Sequence, residues 1–341
     1  MKKIKVAIAG ATGFVGLELL KILTQHPNVD ILHLYSQSKL KKPINFYSKN
    51  FKFKKKLPNV SIIKNHELKN IDVIFTALPH GEAHLISKKI GNNTVLIDLS
   101  ADFRIDNKSV FEKWYKLPHL ATKEQKESIY GLSEINRNLI KKSNFIACPG
   151  CYPTSILLPL LPLVKNKLIN TKSIKADSKS GYSGAGKKTT DKKIYPNINE
   201  NISIYGVGQH RHMPEIDQEL SKFSKKKIKI SFTPHLIPTF RGILSTIYLD
   251  LPKGINIKKV KDCLLNFYKK EKFVNIVNSK EMINTNRVLN TNNCNISVYQ
   301  NRFDNQIIIA SSLDNLIKGA AGQAVQNFNI RFGFKETLSL V

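Results

Sequence analysis

Residues 4–16 read IKVAIAGATGFVG, a short apolar run that leads directly into a turn with three glycines. Apolar residues then recur at helical spacing from Leu17 to Leu23. A strand, a glycine turn and a helix in this order are typical of the first unit of a doubly wound sheet that binds a dinucleotide. Glycines let the backbone approach a pyrophosphate, and the helix start offers it N–H groups. We therefore expect cofactor contacts from Gly10, Thr12, Gly13, Phe14, Val15 and Gly16.

Further apolar runs predict a parallel sheet in the first part of the chain. Residues 29–35, 71–78 and 94–99 are typical of buried strands, and the intervals between them are long enough for helices. The basic segment 39–56 interrupts this pattern, and we interpret it as an exposed loop or hairpin. Its aromatic anchors would be Phe46, Phe51 and Phe53.

The second half of the chain has a different pattern of predicted strands and helices. Strand-like runs at 173–177, 228–236, 243–251 and 296–299 outnumber clear helices, which predicts a domain rich in antiparallel strands. Residues 314–330 then carry an apolar stripe at helical spacing. A chain of 341 residues is long enough for two cores. We predict an α/β protein with an N-terminal Rossmann domain (1–150), an α+β catalytic and oligomerisation domain (151–313) and a C-terminal helix (314–341).

The end of the second predicted strand indicates which cofactor is bound. Sites specific for NAD usually place a carboxylate there, which binds the ribose hydroxyls. Residues 35–39 read YSQSK, with hydroxyls and a cation but no acid. These groups would accommodate a 2′-phosphate, so we expect NADP (NADPH), with Ser36 and Ser38 among its contacts.

Residues 148–154 read CPGCYPT and admit three functional interpretations, besides that of a buried, inert cysteine. Cys148 and Cys151 match a redox disulfide motif, or half of a zinc site. Zinc requires further ligands at suitable spacing, and no second Cys-x-x-Cys occurs in the sequence, so we expect no metal. In the third interpretation, Cys151 is a nucleophile just ahead of a helix whose first turn contains Pro153. The positive end of the helix dipole would favour its thiolate.

Residues 208–215, GQHRHMPE, concentrate two imidazoles, a guanidinium and a carboxylate. Histidines in a polar loop are most often surface residues, but beside a nucleophilic cysteine they become candidates for general acid–base catalysis. Arginines suit carboxylate or phosphate groups, and turns rich in glycine and serine offer N–H groups to anions. We expect substrate contacts from Arg104, His210, Glu215 and Arg241, and further cofactor contacts from Ser180 and Gly181.

The composition argues against several other classes of protein. The net charge of +29 suggests nucleic-acid binding, but the lysines are spread along the whole chain and accompany no helix-turn-helix, zinc-ligand or aromatic RNA-binding motif. We expect no specific nucleic-acid partner. The sequence contains no run of about 20 apolar residues that would span a membrane, and no secretory signal. Together with four scattered cysteines, this favours a cytoplasmic protein.

The order and spacing of these motifs resemble the N-acetyl-gamma-glutamyl-phosphate reductases, relatives of aspartate-semialdehyde dehydrogenase. The resemblance runs nearly end to end. It is carried by residues 10–16, 77–81 (ALPHG), 98–104 (DLSADFR), 130–132 (YGL), 149–154 (PGCYPT), 180–186 (SGYSGAG), 210–215 (HRHMPE) and 314–319 (DNLIKG).

The resemblance implies a second domain like that of glyceraldehyde-phosphate dehydrogenase, and reduction of an acyl phosphate by NADPH in arginine biosynthesis. It implies that Cys151 forms a thioester and that the histidine loop supplies the acid–base group, for which we choose His212 over His210. Asn315 is then a contact on the nicotinamide side of the cofactor, and the C-terminal helix returns to the N-terminal domain. The family also implies a homodimer or homotetramer.

Three positions depart from the family pattern. Cys148 stands where the family usually has asparagine, and Ser133 stands where it has the proline of Tyr-Gly-Leu-Pro-Glu; neither change removes an expected role. Pro159 adds to Pro162 in the helix after Cys151 and is expected to bend it by removing a hydrogen bond. Because only two residues separate Cys148 from Cys151, a further hypothesis is that mild oxidation joins them and reversibly inhibits the enzyme.

Three other functions remain open on the sequence alone. An aspartate-semialdehyde dehydrogenase would share the cysteine, the histidine and the NADP site. A basic nucleic-acid-binding protein would retain the Rossmann shape and bind DNA in a salt-dependent manner instead of NADPH. A redox-switch protein would use Cys148 and Cys151, and would leave the histidine loop unexplained.

Overall fold

The computed structural model describes residues 3–37, 42–48, 53, 56–64, 66–187 and 200–341. The chain divides into two compact units, Met1–Pro149 with Ala320–Val341, and Gly150–Gly319. We call them the N-terminal unit and the C-terminal unit. Whereas the sequence suggested boundaries after residues 150 and 313, residues 314–319 belong to the C-terminal unit in the structure.

A seven-stranded sheet forms the core of the N-terminal unit, and all its neighbouring strands are parallel. Its strands are β1 (Ile4–Ala9), β2 (Val29–Tyr35), β3 (Val60–Ser61), β4 (Val73–Thr76), β5 (Val95–Asp98), β6 (Ile129–Tyr130) and β7 (Phe145–Ala147). They lie in the order β3-β2-β1-β4-β5-β7-β6. The prediction of a parallel, doubly wound sheet is confirmed, and the strands predicted at 71–78 and 94–99 are shortened to β4 and β5.

Helices connect these strands because parallel neighbours require crossover connections. They are α1 (Phe14–Gln25), α2 (Ile44–Tyr47), α3 (Glu82–Ser87), α4 (Lys108–Tyr115), α5 (Thr122–Glu127) and α6 (Ser133–Ile140), with α10 (Gly322–Arg331) supplied by the end of the chain. α10 packs against α1, α6 and β5. Its Phe328 also contacts Phe75 of β4, with ring centroids 5.9 Å apart.

The interruption predicted at residues 39–56 contains the short helix α2 in its described part, where we expected a loop or hairpin. Of its three predicted aromatic anchors, Phe53 is buried but Phe46 is exposed. The prediction for Phe46 was therefore wrong, since the short helix turns this ring to solvent. Phe51 lies outside the described residues.

The C-terminal unit contains a second seven-stranded sheet, which is mixed. Its strands are β8 (Lys175–Gly181), β9 (Ser203–Ile204), β10 (Ser231–Ile237), β11 (Ile243–Asp250), β12 (Val274–Ile276), β13 (Cys294–Gln300) and β14 (Gln306–Leu313), in the order β12-β13-β14-β11-β8-β10-β9. Four of its six pairings are antiparallel, so the α+β prediction for this part of the chain is confirmed.

Helices α7 (Cys151–Lys165), α8 (Met213–Ser224) and α9 (Ile257–Tyr268) pack in this unit. α7 contacts α8, α9, β11 and β14, and every residue from Tyr152 to Val164 is buried. A helix that is apolar on all sides is stable only when it is enclosed in this way. Although α7 is apolar, no helix in the described part of the chain is both long and apolar enough to cross a membrane.

The prolines inside α7 leave it continuous to Lys165. Pro162 has no N–H group, so the carbonyl of Leu158, four residues earlier, loses its helical donor. The hydroxyl of Tyr268 at the end of α9 donates a hydrogen bond to this carbonyl. A side chain from a neighbouring helix therefore replaces the hydrogen bond that the proline removes.

Candidate active site

The glycine turn of the N-terminal unit has no room for side chains at two positions. Gly10 adopts a left-handed φ of 86°, and a Cβ there would lie 2.1 Å from the carbonyl oxygen of Ala77. A Cβ on Gly16 would lie 2.2 Å from the carbonyl oxygen of Gly10. At Gly13, the residue that caps α1, an added Cβ would meet only this same oxygen, at 3.4 Å. The backbone of the turn is thus open at the start of α1, as a pyrophosphate requires.

Strand β2 holds this turn in place. The N–H groups of Gly10 and Ala11 both donate to the carbonyl oxygen of Tyr35, at 2.9 and 3.0 Å. Ser36 follows immediately, is buried, and donates its N–H to the carbonyl oxygen of Ser61. The structure therefore places Ser36 beside the turn, whereas Ser38 lies outside the described residues. This geometry fits a dinucleotide.

Cys151 is the first residue of α7, directly after the capping residue Gly150. Its side chain is half-buried, whereas Cys148 and Cys294 are fully buried. Gly319 packs against it, and a Cβ on Gly319 would lie 2.7 Å from the Cβ of Cys151. Gly319 belongs to a π-helical turn, Ile317–Ala321, in which its N–H donates to the carbonyl oxygen of Asp314 at 2.9 Å. Such turns are frequent at functional sites.

The imidazole of His212 lies against Gly150. A Cβ added to Gly150 would lie 2.4 Å from His212 Nε2. His212 caps α8, and one turn later on this helix the buried carboxylate of Glu215 accepts the N–H of Gly150 at 2.8 Å. The nucleophile candidate Cys151, the imidazole of His212 and the carboxylate of Glu215 are therefore assembled around the backbone of one glycine.

His210 contacts the backbone of His212. Its Nδ1 accepts the backbone N–H of His212 at 3.2 Å. The rings of Tyr152, Tyr205 and Phe232 surround it, with centroid distances of 5.4 to 5.6 Å. Burial, assisted by the charge of Arg211, lowers the pKa of His210 to about 4. At neutral pH the ring is therefore neutral and able to accept the hydrogen bond.

Arg241 lies in the loop after β10, and its guanidinium is anchored by two side chains. Nη1 donates to Asn290 Oδ1 at 2.8 Å and to the buried carboxylate of Asp314 at 3.2 Å. The expected partner of this arginine was a substrate anion. The structure adds Asp314, the first residue of the DNLIKG motif, as a partner within the protein.

Asn315 connects the glycine- and serine-rich turn to the same loop. Its Oδ1 accepts the N–H of Gly242 at 2.7 Å, and its Nδ2 donates to Ser183 Oγ at 3.0 Å. Ser180 donates its hydroxyl to the carbonyl oxygen of Gly181, and a Cβ on Gly181 would collide with the backbone of Arg241 at 2.7 Å. These residues form a second cluster in the C-terminal unit, in which many of the polar atoms already have protein partners.

Arg104, which we expected to bind substrate, is buried in the N-terminal unit. Its Nε donates to the carbonyl oxygen of Cys148 at 2.7 Å, and its Nη2 donates to the carbonyl oxygen of Leu99 at 2.9 Å. The guanidinium thus fixes the backbone just before the Pro-Gly-Cys segment. A substrate contact of Arg104 stays a prediction.

Two of the three residues that depart from the family pattern, Cys148 and Ser133, contact Asn327 of α10. Ser133 Oγ donates to Asn327 Oδ1 at 2.7 Å, and Asn327 Nδ2 lies 3.6 Å from Cys148 Sγ. Burial raises the pKa of the Cys148 thiol to about 12. Since thiolate is the reactive form, Cys148 is poorly suited to begin disulfide exchange. A disulfide between Cys148 and Cys151 stays a hypothesis.

Sequence reasoning missed the contacts made by Gly150 and Gly319. Both lie within motifs that we quoted, but their role depends on which side chain packs against them. Within the described residues, no group of three or more histidine, cysteine, aspartate or glutamate side chains could hold a metal ion.

Comparison with known proteins identifies the family. Residues 5–143 match the model described as "Semialdehyde dehydrogenase, NAD binding domain", and residues 151–315 match "Semialdehyde dehydrogenase, dimerisation domain". The chain is 45% identical over 339 residues to N-acetyl-gamma-glutamyl-phosphate reductase of Clostridium beijerinckii, covering 99% of this chain and 98% of that one. The chain belongs to the N-acetyl-gamma-glutamyl-phosphate reductase family. It is also 42% identical to the enzyme of Ehrlichia ruminantium (strain Gardel) over 342 residues, covering 99% and 98% of the two chains.

The fold is shared more widely within the semialdehyde dehydrogenases. The crystal structure of aspartate semialdehyde dehydrogenase II from Vibrio cholerae, complexed with ASA, matches with a TM-score of 0.72 at 18% identity, covering 98% of this chain and 99% of that one. The N-acetyl-gamma-glutamyl-phosphate reductases are oxidoreductases of amino-acid biosynthesis, and the N-terminal unit is their nicotinamide-dinucleotide-binding domain.

Substitution of Gly150 by alanine tests the arrangement around His212. The added methyl group would displace the imidazole, so we expect a loss in kcat of about 100-fold, because small misplacements of catalytic groups cost this much. Steady-state kinetics with a thermal melt would measure it. Gly91→Ala is the matched control, because it makes the same replacement in the N-terminal unit. The added methyl group would lie 3.3 Å from Thr94 Oγ1. A normal kcat in Gly150→Ala would show that turnover does not depend on the position of the His212 imidazole.

The lowered pKa of His210 predicts acid sensitivity. Between its folded pKa of about 4 and the ordinary value of 6.5, the unfolded chain binds a proton that the folded chain does not. The free energy of unfolding therefore falls as the pH is lowered from about 6.5 towards 4. In His210→Asn, whose Oδ1 can accept the same N–H without titrating, we expect this slope to decrease by up to about 1.4 kcal/mol per pH unit.

Urea unfolding at several pH values across this range measures the slope. His66→Asn is the control, because it makes the same replacement at an exposed histidine of the N-terminal unit. An identical slope in wild type and His210→Asn would refute the assignment of a neutral, buried His210.

Proposed function

We propose that this protein reduces N-acetyl-gamma-glutamyl phosphate to N-acetylglutamate semialdehyde with NADPH, in arginine biosynthesis. The observation that carries the proposal is the half-buried Cys151 at the start of α7, with the imidazole of His212 against the preceding residue. The names of the full-length relatives support this choice of substrate.

Cys151 is the proposed nucleophile. Its position in the first turn of α7 exposes it to the positive end of the helix dipole, which favours a thiolate. The thiolate attacks the acyl carbon, and the bond from this carbon to the phosphate oxygen breaks. Phosphate departs, and the acyl group remains bound to the cysteine as a thioester. Backbone N–H groups of the same helix turn are suited to stabilise the oxyanion that forms in this step.

His212 is the proposed acid–base group. It takes the proton of the Cys151 thiol and returns it to the departing phosphate, so this step needs no external proton donor. His210 holds its backbone N–H, and Glu215 holds the N–H of Gly150 beside its ring. We therefore propose positioning roles for His210 and Glu215, in addition to the substrate contacts expected from the sequence.

The cofactor is proposed to be NADPH, bound at the open turn between Gly10 and Gly16. When bound, NADPH supplies the hydride that reduces the thioester; cleavage of the carbon–sulfur bond then releases the aldehyde and regenerates the Cys151 thiolate. The absence of an acidic residue at Ser36 and Gln37, directly after β2, supports NADP over NAD.

The anionic substrate requires cationic partners. Arg241 is the proposed contact for its carboxylate, with Asp314 and Asn290 fixing the guanidinium in place. Arg104 remains a second candidate, although two of its donors are used by backbone carbonyls. We also propose a homodimer or homotetramer, for which the match to a dimerisation-domain model is the support.

The reverse reaction tests the proposed function. N-acetylglutamate semialdehyde, phosphate and NADP should together produce the absorbance of reduced nicotinamide, with a strict dependence on phosphate. Cys151→Ser should lower the rate on the order of 10³-fold or more. Cys263→Ser is the matched control, because Cys263 lies on α9 and its thiol contacts Asn166 and the carbonyl of Pro162 instead.

Aspartate semialdehyde is the parallel substrate. Activity with this aldehyde alone would assign the protein to the sister enzyme. Absence of activity with both aldehydes, in enzyme that melts cooperatively, would contradict the proposal.

A further inference from the structure

Gln323 is a buried amide without a hydrogen-bond partner in the part of the chain that the structure describes. It is the second residue of α10, its side chain is 1% exposed, and neither its oxygen nor its nitrogen has a hydrogen-bond partner among the described residues. Leaving such a group unsatisfied is costly, and native proteins rarely do so without a reason.

The other amides of α10 show that this helix satisfies its polar groups. Gln326 donates to Glu134 at 2.9 Å and to Glu336 at 2.7 Å. Asn327 donates to the carbonyl oxygen of Gly131 at 2.8 Å, and Asn329 pairs with His26 at 3.0 Å. Among four buried amides on α10, Gln323 is the exception in the described structure.

The spacing along α10 gives the direction of the Gln323 side chain. Residues four apart lie on the same face of a helix, so Gln323 stands one turn, about 5 Å, from Asn327. The Asn327 amide reaches Gly131 and Cys148, which directly follow β6 and β7 at the carboxyl edge of the sheet. Since Asn329 near the other end of α10 meets His26 at the C-terminal end of α1, the start of α10 points towards this edge.

The order of the strands indicates which part of a dinucleotide would meet Gln323. The pyrophosphate site follows β1, and the adenosine ribose is expected beside Ser36, after β2. In the sheet order β3-β2-β1-β4-β5-β7-β6, strand β7 lies on the opposite side of β1 from β2. A cofactor that crosses the carboxyl edge therefore extends its nicotinamide half towards β7 and the start of α10.

We propose that Gln323 binds the carboxamide of the nicotinamide. An amide has both a donor and an acceptor, so the side chain and the carboxamide are complementary. The inference rests on the proposed use of NADPH. It differs from the expectation that Asn315 contacts the nicotinamide: each polar atom of the Asn315 side chain already makes a hydrogen bond, with Gly242 and Ser183, whereas those of Gln323 make none among the described residues.

The test compares two cofactors on three proteins by titration calorimetry, without substrate. NADPH is compared with its reduced 3-acetylpyridine analogue, in which a methyl group replaces the amide nitrogen. In wild type we expect NADPH to bind about tenfold more tightly than the analogue. In Gln323→Leu this preference should disappear, whereas Asn315→Ala should retain it.

The thermal midpoint of the cofactor-free protein separates binding from structure. Because leucine removes an unsatisfied buried amide, the midpoint of Gln323→Leu should equal or exceed that of wild type. A lower midpoint with an unchanged preference for NADPH would show a structural role and overturn the inference. Gln323→Met repeats the measurement if the leucine variant does not fold. A wild-type protein that binds neither cofactor would refute the proposed function itself, which is a distinct outcome.

Discussion

The imidazole of His212 occupies the space that a side chain at residue 150 would fill. The absence of a side chain at residue 150 lets this imidazole lie directly beside the start of α7. The N–H of Gly150 is held by the buried carboxylate of Glu215, and the N–H of His212 is held by a neutral His210. The chemistry proposed for Cys151 depends on these backbone contacts, because they fix where His212, the proposed general base, lies relative to α7, which carries Cys151.

Rigidity of the supporting elements follows from packing. α7 is buried from Tyr152 to Val164, and the carbonyl that Pro162 leaves without a donor is bound by Tyr268. The N-terminal unit uses the same principle, since its glycine turn is tied to the end of β2 and would collide with itself if Gly16 carried a side chain. Active groups carried on such rigid elements keep their geometry without help from the ligand.

The sequence predicted the doubly wound sheet, the mixed second sheet and the residues around Cys151, because apolar periodicity and glycine turns are local signals. It did not predict the contacts that arise only in three dimensions. The π-helical turn that brings Gly319 against Cys151 has no residue-type signature. The burial of Gln323 without a partner among the described residues is visible only from its surroundings. Arg104 was chosen as a ligand contact by residue type and Asn315 from the family resemblance, yet both side chains make hydrogen bonds to the protein itself.

The proposed reaction depends on an acyl thioester at Cys151. The most direct measurement mixes the protein with N-acetyl-gamma-glutamyl phosphate in the absence of NADPH and follows phosphate release continuously at neutral pH. The protein is then quenched in acid, and any adduct is mapped by mass spectrometry. We expect an N-acetylglutamyl group on the peptide that contains Cys151, with phosphate released in equal amount. Aldehyde formation upon later addition of NADPH, from a protein whose Cys151 was unmodified, would contradict the thioester mechanism.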